Sequence, residues 1–405
     1  MPLPDWRFSW QLVAVLLLGC GRTPGRVAPD ASASTTPPTI TIAPSAPSTE
    51  STIPTRGSTS STADDDAEHS VVQVAAGIDT TCALTKRGTV YCWGYNKFGQ
   101  LGDGTKEDRT RPVRLKVERA VEIALGDFFG CARLDDGGIA CWGDRKLGAI
   151  GDGKSEGSAE PTRLHEFDNL QELSRGLSST CVVRRDDAVW CWGHLPWQHE
   201  PAYAPVEVPV LKGWSHIVLG STHVCALSPK GQVGCWWYDK KSGPQASTSF
   251  GSVGLALLAG IPTVRELSTS SDVTCGTVDS GDVYCWVGPS RDPYPWHGLK
   301  KPTRMPIKDV AHLSVGPMHL CALRKNQSIV CLGRSEFGAL SAESTKRTYA
   351  AVNVDLADAT GVAVGPEHTC ALVEAGSVWC WGNNTHGQFG SGTVYAGNAP
   401  GPVRW

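Results

Sequence analysis

The sequence has few of the features that mark helical or nucleic-acid-binding proteins. Its 405 residues include only 3 methionines, charged residues make up 19%, and the formal net charge is −3. Nucleic-acid binding depends on a concentrated basic surface, which this charge balance does not provide. No long segment has apolar residues at helical spacing, and no run of 18 or more apolar residues follows residue 19. We therefore expect short strands and tight turns, and no nucleic-acid partner.

Residues suited to catalysis or metal binding are also scarce. There is no His-Glu-x-x-His zinc motif. His223, His319 and His368 each lie two residues before a cysteine, and a histidine that recurs at one repeat position indicates a structural hydrogen bond. The Asp-Gly pairs that begin at Asp103 and Asp152 are typical of turns. We therefore predict no catalytic residue, no metal site and no cofactor.

The N-terminal segment resembles the leader of a lipoprotein. Residues 12–19 form an apolar run that is too short to span a bilayer but is typical of a signal-peptide core. The run ends in Leu-Leu-Gly-Cys at residues 17–20, which resembles the lipobox of bacterial lipoproteins. That resemblance implies cleavage before Cys20 and a lipid on its sulfur. The alternative is an ordinary signal peptide beside an unrelated cysteine. Gly21, by the same resemblance, implies an outer-membrane lipoprotein that faces the periplasm or the outside.

The segment after the leader predicts a flexible tether. Residues 20–70 are rich in Ser, Thr, Pro and Ala, and they close with the acidic stretch 64–68. Such a segment buries too little apolar surface to offset the entropy of ordering it. Fifty flexible residues have a root-mean-square reach of roughly 40 Å. We divide the chain into a signal peptide (1–19), a disordered tether (20–70) and a folded domain (71–405).

The fourteen cysteines after Cys20 are strictly paired. The pairs are Cys82 and Cys92, Cys131 and Cys141, Cys181 and Cys191, Cys225 and Cys235, Cys275 and Cys285, Cys321 and Cys331, and Cys370 and Cys380. Nine residues separate the members of each pair, and pairs recur every 44 to 50 residues, a period typical of propellers and solenoids. Each repeat also holds about four short β segments. The sequence therefore predicts an all-β fold, a seven-bladed β-propeller with about four strands per blade.

Each cysteine pair predicts a disulfide across a β-hairpin. With Cys82 opposite Cys92, the hairpin loop is Lys-Arg-Gly at 86–88, whose third residue should adopt the left-handed conformation that suits glycine. Asp187 and Gln327 take that position in the third and sixth repeats. The cysteines then fall at a non-hydrogen-bonded pair, where side chains are closest. Regular pairing behind a leader peptide favours disulfides over free thiols or zinc.

Repeats one and seven resemble a known repeat family. Repeat one has Thr-Cys-Ala-Leu at 81–84, Gly-Thr-Val-Tyr-Cys-Trp-Gly at 88–94 and Gly-Gln-Leu-Gly at 99–102, and repeat seven repeats these motifs at 368–372, 376–382 and 387–390. They resemble the regulator of chromosome condensation repeat, and the resemblance extends over residues 71–405. The paired cysteines resemble a secreted bacterial branch of that family. Nuclear members act as nucleotide-exchange factors and bind chromatin, functions that a disulfide-bonded, lipid-anchored domain is in the wrong compartment to perform.

These observations favour a non-catalytic binding scaffold of the cell envelope. It would be a monomer, held at the membrane through the lipid on Cys20, and would recognise a protein or a glycan through one propeller face. The alternative is an inhibitor of a secreted or periplasmic enzyme, because a bacterial seven-bladed relative of this repeat class inhibits β-lactamases. An extracytoplasmic enzyme is the third choice.

Aromatic residues outside the repeat pattern are the candidate binding residues. Repeats three to five lack the Gly-Gln-Leu-Gly stretch and carry Trp197, Tyr203, Trp214, Trp237, Tyr238, Tyr294, Trp296 and His297 instead. We expect these segments to emerge together on one side of the ring, where Trp and Tyr would supply contact area with few rotamers to freeze. The alternative is that they fill gaps left by the missing glycines.

The chain ends suggest how the ring closes. The repeat pattern assigns residues 402–405 to the strand that leads into a following blade. We expect this strand to pair with residues 71–76 and to complete the first blade, which would leave no open sheet edge.

The disulfide assignment predicts a mass change. Reduction of seven bridges adds two hydrogens at each, so the intact mass should rise by about 14 Da. Mass spectrometry of the secreted protein, with and without reductant, measures this. Alkylation of several propeller cysteines without reductant would contradict the assignment. Cys20→Ser should release the protein from membrane fractions.

Overall fold

The computed structural model describes residues 69–238, 254–288, 295–335, 337–341 and 348–405. The predicted signal peptide, Cys20 and all but the last two residues of the predicted tether lie outside the described residues, as does Tyr294. Within the described chain, 28 strands form seven antiparallel sheets of four strands each. The predicted seven-bladed β-propeller is therefore confirmed. Helical structure among the described residues is limited to two short 3₁₀ segments, Pro209–Leu211 and Glu374–Gly376.

The strands follow one another in chain order, four to a blade. Blade one contains β1 (Val71–Ala76), β2 (Thr80–Thr85), β3 (Val90–Gly94) and β4 (Arg109–Arg114). Blade two contains β5 (Ala120–Leu125), β6 (Phe129–Leu134), β7 (Ile139–Gly143) and β8 (Ser158–Leu164). Blade three contains β9 (Leu170–Arg175), β10 (Ser179–Arg184), β11 (Val189–Gly193) and β12 (Ala202–Glu207). Blade four contains β13 (Ser215–Leu219), β14 (His223–Leu227), β15 (Val233–Trp237) and β16 (Ala256–Leu257). Blade five contains β17 (Val264–Ser270), β18 (Val273–Val278), β19 (Val283–Val287) and β20 (Thr303–Arg304). Blade six contains β21 (Val310–Val315), β22 (His319–Arg324), β23 (Ile329–Gly333) and β24 (Thr348–Asn353). Blade seven contains β25 (Ala359–Val364), β26 (His368–Val373), β27 (Ser377–Gly382) and β28 (Gly397–Pro402).

The first strands of the blades surround a central channel. Each first strand contacts the first strands of both neighbouring blades, and β1 contacts β5 on one side and β25 on the other. The middle strands β2 and β3 are buried along their whole length, because a neighbouring blade covers each face of the sheet. The outermost strand β4 is partly exposed throughout. Burial therefore increases from the rim of the ring to the middle strands, and the channel is lined by β1 and its equivalents.

The ring has two faces, which we call face A and face B. Face A carries the turns between first and second strands and the long loops between third and fourth strands. In blade one the two meet, because Tyr95 N–H donates to the Asp79 carbonyl at 2.8 Å. Face B carries the cysteine hairpin loops and the connections to the next blade. There, Lys86 N–H donates to the Ser70 carbonyl at 2.8 Å.

The hydrophobic core is divided into seven clusters, one between each pair of adjacent blades. In the cluster between blades one and two, Leu84 and Val90 of the cysteine hairpin pack with Ile123 and Leu134 of the next blade. Leu115, from the connection between the blades, completes the cluster. Because every blade is half of two clusters, no blade buries its apolar surface alone.

The cysteine hairpins have the predicted geometry. All seven disulfides are present, each with a Cα–Cα distance of 4.0 or 4.1 Å. Cys82 lies opposite Cys92, and Leu84 lies opposite Val90. Asp187 and Gln327 take the left-handed conformation that glycine takes in the other hairpins, with φ of 62° and 65°. The hairpin geometry therefore overrides the side-chain preference at these two positions.

The predicted ring closure is wrong. The last strand β28 pairs with β27 of blade seven, and β1 pairs with β2 of blade one, so each blade consists of four consecutive strands. The chain after β28 contacts blade one through side chains instead. Val403 is buried in the cluster between blades seven and one, and the Trp405 ring lies 6.1 Å from that of Trp93. Closure therefore uses the same apolar packing as every other blade junction.

This closure predicts a loss of stability when the last three residues are removed. Deletion of residues 403–405 should lower the free energy of unfolding by about 2 to 4 kcal/mol, because it removes buried Val403 from the last junction and the ring contacts of the partly exposed Trp405. Urea unfolding of the deletion variant measures this. Tyr395→Ala, at a side chain that is 79% exposed in the same blade, serves as the control. Equal stability of the deletion variant and this control would contradict closure by packing.

Candidate functional site

In four blades the tryptophan that follows the second cysteine joins its blade to the one before it. Trp93 Nε1 donates to the Gln388 carbonyl of blade seven at 2.9 Å, and Trp142 Nε1 donates to the Gln100 carbonyl of blade one at 3.0 Å. Trp192 and Trp381 form the same bond with equivalent loop carbonyls. These indoles are 0% exposed. They are structural residues and are not available to a ligand.

A threonine beside the first cysteine often uses the same loop carbonyl. Thr81 Oγ1 donates to the Gln388 carbonyl at 2.9 Å, and Thr369 Oγ1 donates to the Ala339 carbonyl at 3.0 Å. One carbonyl thus accepts an indole and a hydroxyl from the following blade. Because both donors are buried, loss of this acceptor would leave two unsatisfied polar groups inside the protein.

The recurrent histidines have the structural role that their spacing predicts. His368 Nε2 lies 3.0 Å from Thr81 Oγ1, and His319 Nε2 lies 2.8 Å from Thr369 Oγ1, so each pair crosses a blade junction. Both histidines are fully buried. Burial lowers the pKa of His319 to about 3 and that of His368 to about 4, which keeps both rings neutral.

The family loop after the third strand is held in shape by one buried residue. In blade one the Asn96 side chain donates to the Glu107 carbonyl at 3.0 Å and accepts from Leu101 N–H at 3.0 Å. Asn384 makes the equivalent bonds in blade seven. In blade two Arg145 takes the position and forms an ion pair with Asp152 at 2.6 Å. This loop is structural, and its shape positions the residues beside it.

The predicted aromatic binding residues fall into two groups. Trp197 and Trp296 are 6% and 2% exposed and belong to the core clusters of their blades, so the packing alternative applies to them. Each fills the core of its blade junction, as Leu101 does at the junction of blades one and two. The remaining described members, which are half-buried or exposed, are Tyr203, Trp214, Trp237, Tyr238 and His297.

The half-buried or exposed members are divided between the two faces. Tyr203 lies in the outermost strand β12, where its hydroxyl donates to the Lys146 carbonyl at 3.1 Å. Trp214 precedes β13 and therefore belongs to face B, whereas Tyr238 follows β15 on face A. Trp214 and Tyr238 both pack against the core between blades three and four, and Trp237 packs against the next core. The structure therefore places Trp214 on the opposite face from Tyr238.

A different row of aromatic side chains lies on face A, at the junctions of blades seven, one and two. The His386 and Tyr95 rings are 4.6 Å apart, Tyr95 and Phe98 are 6.2 Å apart, and Phe98 and Phe128 are 4.9 Å apart. All four are half-buried. We call these four residues the aromatic row. Lys146 Nζ lies 5.9 Å above the Phe98 ring.

A cavity continues the aromatic row towards the centre of face A. It measures about 310 Å³ and is lined in part by Phe128, Lys146, Leu147 and Leu177. Leu147 is 43% exposed. One recurrent sequence position could have predicted this surface. The fifth residue after the third-strand Trp, or after Leu332 in blade six, is large and accessible in several blades, namely Phe98, Leu147, Phe337 and His386.

Acidic side chains in the channel accept hydrogen bonds from the backbone of the next blade. Glu172 accepts from His216 N–H at 3.0 Å and from Ile217 N–H at 3.1 Å. Glu266 accepts from Leu313 N–H at 3.1 Å, and Gln73 takes the same role from blade one to blade two. These side chains join neighbouring first strands and do not form a set of free carboxylates.

Two short patterns in blade two match catalytic motifs by sequence alone. Residues 148–155 fit Gly-x-x-x-x-Gly-Lys-Ser, and residues 153–157 fit Gly-x-Ser-x-Gly. The structure places both in the loop between strands β7 and β8, with Gly148, Gly151 and Gly153 at positive φ. Both motifs require a helix after the loop, and a strand follows here. These residues form turns.

The described part of the chain also offers no metal site, since it holds no group of three or more His, Cys, Asp or Glu residues placed to bind an ion. Over the same residues, no helix is both long and apolar enough to cross a membrane.

Parts of blades one, two and seven match known repeat families. Residues 71–100 and 359–388 match the family described as Regulator of chromosome condensation (RCC1) repeat, and residues 87–133 match a second family of the same description. The chain is 51% identical over 47 residues to the human probable E3 ubiquitin-protein ligase HERC4. That segment covers 11% of this chain and 4% of HERC4.

Two solved structures share the fold. Prp20p from Saccharomyces cerevisiae, whose structure was described together with its binding to Gsp1p and histones, has a TM-score of 0.65 and 17% identity. The match covers 85% of this chain and 89% of Prp20p. Human WBSCR16 has a TM-score of 0.64 and 16% identity, over 78% of this chain and 95% of its own. At these identities the likeness concerns the fold alone.

The buried histidines predict loss of stability in acid. Because the pKa of His368 is about 4 in the folded protein, the unfolded chain binds a proton below pH 6.5 that the folded chain does not. Stability from this group is complete above pH 6.5 and falls as the pH drops towards 4. His368→Phe copies Phe129, the residue at this position in blade two. It should reduce the loss between pH 7 and 4.5 by about 2 to 3 kcal/mol.

Urea unfolding at pH 7, 5.5 and 4.5 measures this difference. Carboxylates titrate equally in both proteins, so only the difference between the two stability curves reports on His368. Parallel curves for the wild type and the variant would contradict the assignment of a buried neutral ring.

Proposed function

We propose that this protein is a non-catalytic binding scaffold of the bacterial cell envelope, anchored by a lipid on Cys20, that recognises a partner protein through face A. The aromatic row is the observation that carries the proposal. It adjoins an open cavity and an exposed leucine on the same face. Exposed aromatic residues next to a concave surface are typical of protein-binding sites.

The geometry of the aromatic row favours recognition over folding. The tryptophans that hold the blades together are fully buried and hydrogen-bonded across the junctions, whereas Phe98, Phe128 and His386 remain half-exposed. The family loops hold these residues rigidly, since the backbone N–H of His386 and of Phe98 each donates to the glutamine two residues later. A rigid aromatic surface binds a partner at a low cost in side-chain entropy.

The disulfides support the proposed compartment. Seven disulfides within hairpins are typical of proteins that fold in an oxidising environment such as the periplasm. The lipobox-like sequence before Cys20 supports an envelope lipoprotein, and the paired cysteines support the secreted bacterial branch of the repeat family. The propeller Prp20p likewise binds proteins, namely Gsp1p and histones.

A capture experiment tests the proposal. Outer-membrane and periplasmic extracts are passed over the wild type and over the double variant Phe98→Ser, Phe128→Ser. We expect the wild type to retain one stoichiometric partner and the double variant to bind it at least tenfold more weakly, because two central aromatic contacts are lost. Affinity of the isolated partner is then measured by calorimetry.

The control variant is Val121→Ser. Val121 is 45% exposed at the face-B end of the first strand of blade two. This variant should bind the partner as the wild type does. An equal loss of partner binding in the double variant and in Val121→Ser would contradict a scaffold that binds through face A. Turnover of a substrate by the isolated protein without a partner would also contradict it.

A further inference from the structure

One first strand carries a charge where the others carry a small or apolar residue. The residue six positions before the first cysteine lies at the face-A end of each first strand. In six blades it is small or apolar and buried, namely Ala76, Leu125, Leu219, Thr269, Val315 and Val364. In blade three it is Arg175, which is partly exposed.

The Arg175 guanidinium lacks the partners that a charge in such a place normally has. Among the described residues, its interactions are limited to the electrostatic attraction of Asp127, with no hydrogen bond or ion pair. Asp127 is the second charged residue at the channel mouth, and burial raises the pKa of its carboxyl to about 6. Two charges therefore face the same space without contact.

An arginine is a poor choice for the fold at this position. A partly buried charge with no hydrogen-bond partner in the protein stabilises a fold less than an apolar residue of similar volume. The chain itself shows that an apolar residue fits at this position, since Leu125 and Leu219 occupy it in the blades on either side. Arg175 therefore has no role that the fold requires, which indicates a role in binding.

Arg175 lies where two cavities meet. The inner cavity measures about 490 Å³ and is lined by channel residues that include Glu172 and His216. The outer cavity measures about 210 Å³ and opens on face A, and Arg175 lines both. The rim of the outer cavity is mainly apolar, with Ile78, Leu177, Pro317 and Pro366 half-exposed around it.

We infer that the face-A mouth of the channel binds a carboxylate of the partner protein, an Asp or Glu side chain that pairs with Arg175 while its apolar neighbours pack on the rim. This inference rests on the proposed function and specifies its ligand chemistry. An arginine fork matches a carboxylate in geometry, and a partly dehydrated site strengthens the pair. A sugar acid is a poorer match, because the apolar rim offers few partners for hydroxyl groups.

A direct binding measurement tests the inference. The full chain is labelled with ¹⁵N-arginine, and the Arg175 Nε–Hε signal is identified as the one that Arg175→Leu removes. The signal is then followed during titration with the peptide acetyl-Leu-Glu-Leu-amide. We expect a saturable shift, with at least tenfold weaker binding of the isosteric acetyl-Leu-Gln-Leu-amide.

Variants separate a binding role from a structural one. Arg175→Leu should abolish the preference for the glutamate peptide while its melting temperature stays equal to or above that of the wild type. Asp127→Asn should tighten binding several-fold, because it removes a like charge from the mouth. Arg185→Gln, at an exposed arginine in the face-B hairpin of the same blade, should bind as the wild type does.

Several outcomes would overturn the inference. Equal binding of the two peptides, unchanged preference in Arg175→Leu or weaker binding by Asp127→Asn would each do so, the last even if Arg175→Leu failed to fold. Tighter binding of methyl glucuronide than of the glutamate peptide would assign the site to a glycan.

The inference and the proposed function fail separately. A partner that Arg175→Leu captures as well as the wild type does would leave the scaffold intact and remove the carboxylate site. Glutamate-peptide binding without any captured partner would do the reverse.

Discussion

At four junctions a loop carbonyl joins adjacent blades. It accepts the buried indole of the following blade at each of the four, and at three of them it also accepts a buried threonine hydroxyl. The middle strands are buried on both faces, so these donors have no access to water. The loop must therefore keep one shape, which explains why a buried Asn96 or Asn384 fixes it from within. The positions on face A beside that loop become rigid as a consequence.

Blades three and five show what happens when the family loop is lost. Leu101 normally fills the junction core from the loop, and Trp197 and Trp296 fill it in these blades. The apolar volume is preserved although the glycine-rich motif is absent. Sequence alone does not distinguish a tryptophan that fills such a gap from one that contacts a ligand, because both appear as aromatic residues outside the repeat. Burial makes the distinction. It assigns Trp197 and Trp296 to packing, whereas the other described candidates are half-buried or exposed.

The hairpins, blade number and strand count were predictable because each depends on local rules. Cysteine spacing fixes the register, and the register fixes the left-handed position that even Asp187 and Gln327 adopt. Ring closure was not predictable in this way. The sequence of the last strand fits the outermost strand of blade one as well as that of blade seven. Which blade it joins depends on the space that remains once the ring is complete. Side chains of Val403 and Trp405 pack against blade one and fill that space, so no strand from the C-terminus joins the sheet of blade one.

A repeat protein offers an internal standard for deciding which departures from its pattern serve function. Trp197 departs from the pattern in a direction that adds buried apolar area, so the departure stabilises the fold and requires no ligand. Arg175 departs in the opposite direction, because it places an unpaired charge where Leu125 and Leu219 stand in the adjacent blades. A departure of the first kind preserves the core. A departure of the second kind does not strengthen it, and a binding role for Arg175 accounts for a charge that the fold itself does not need.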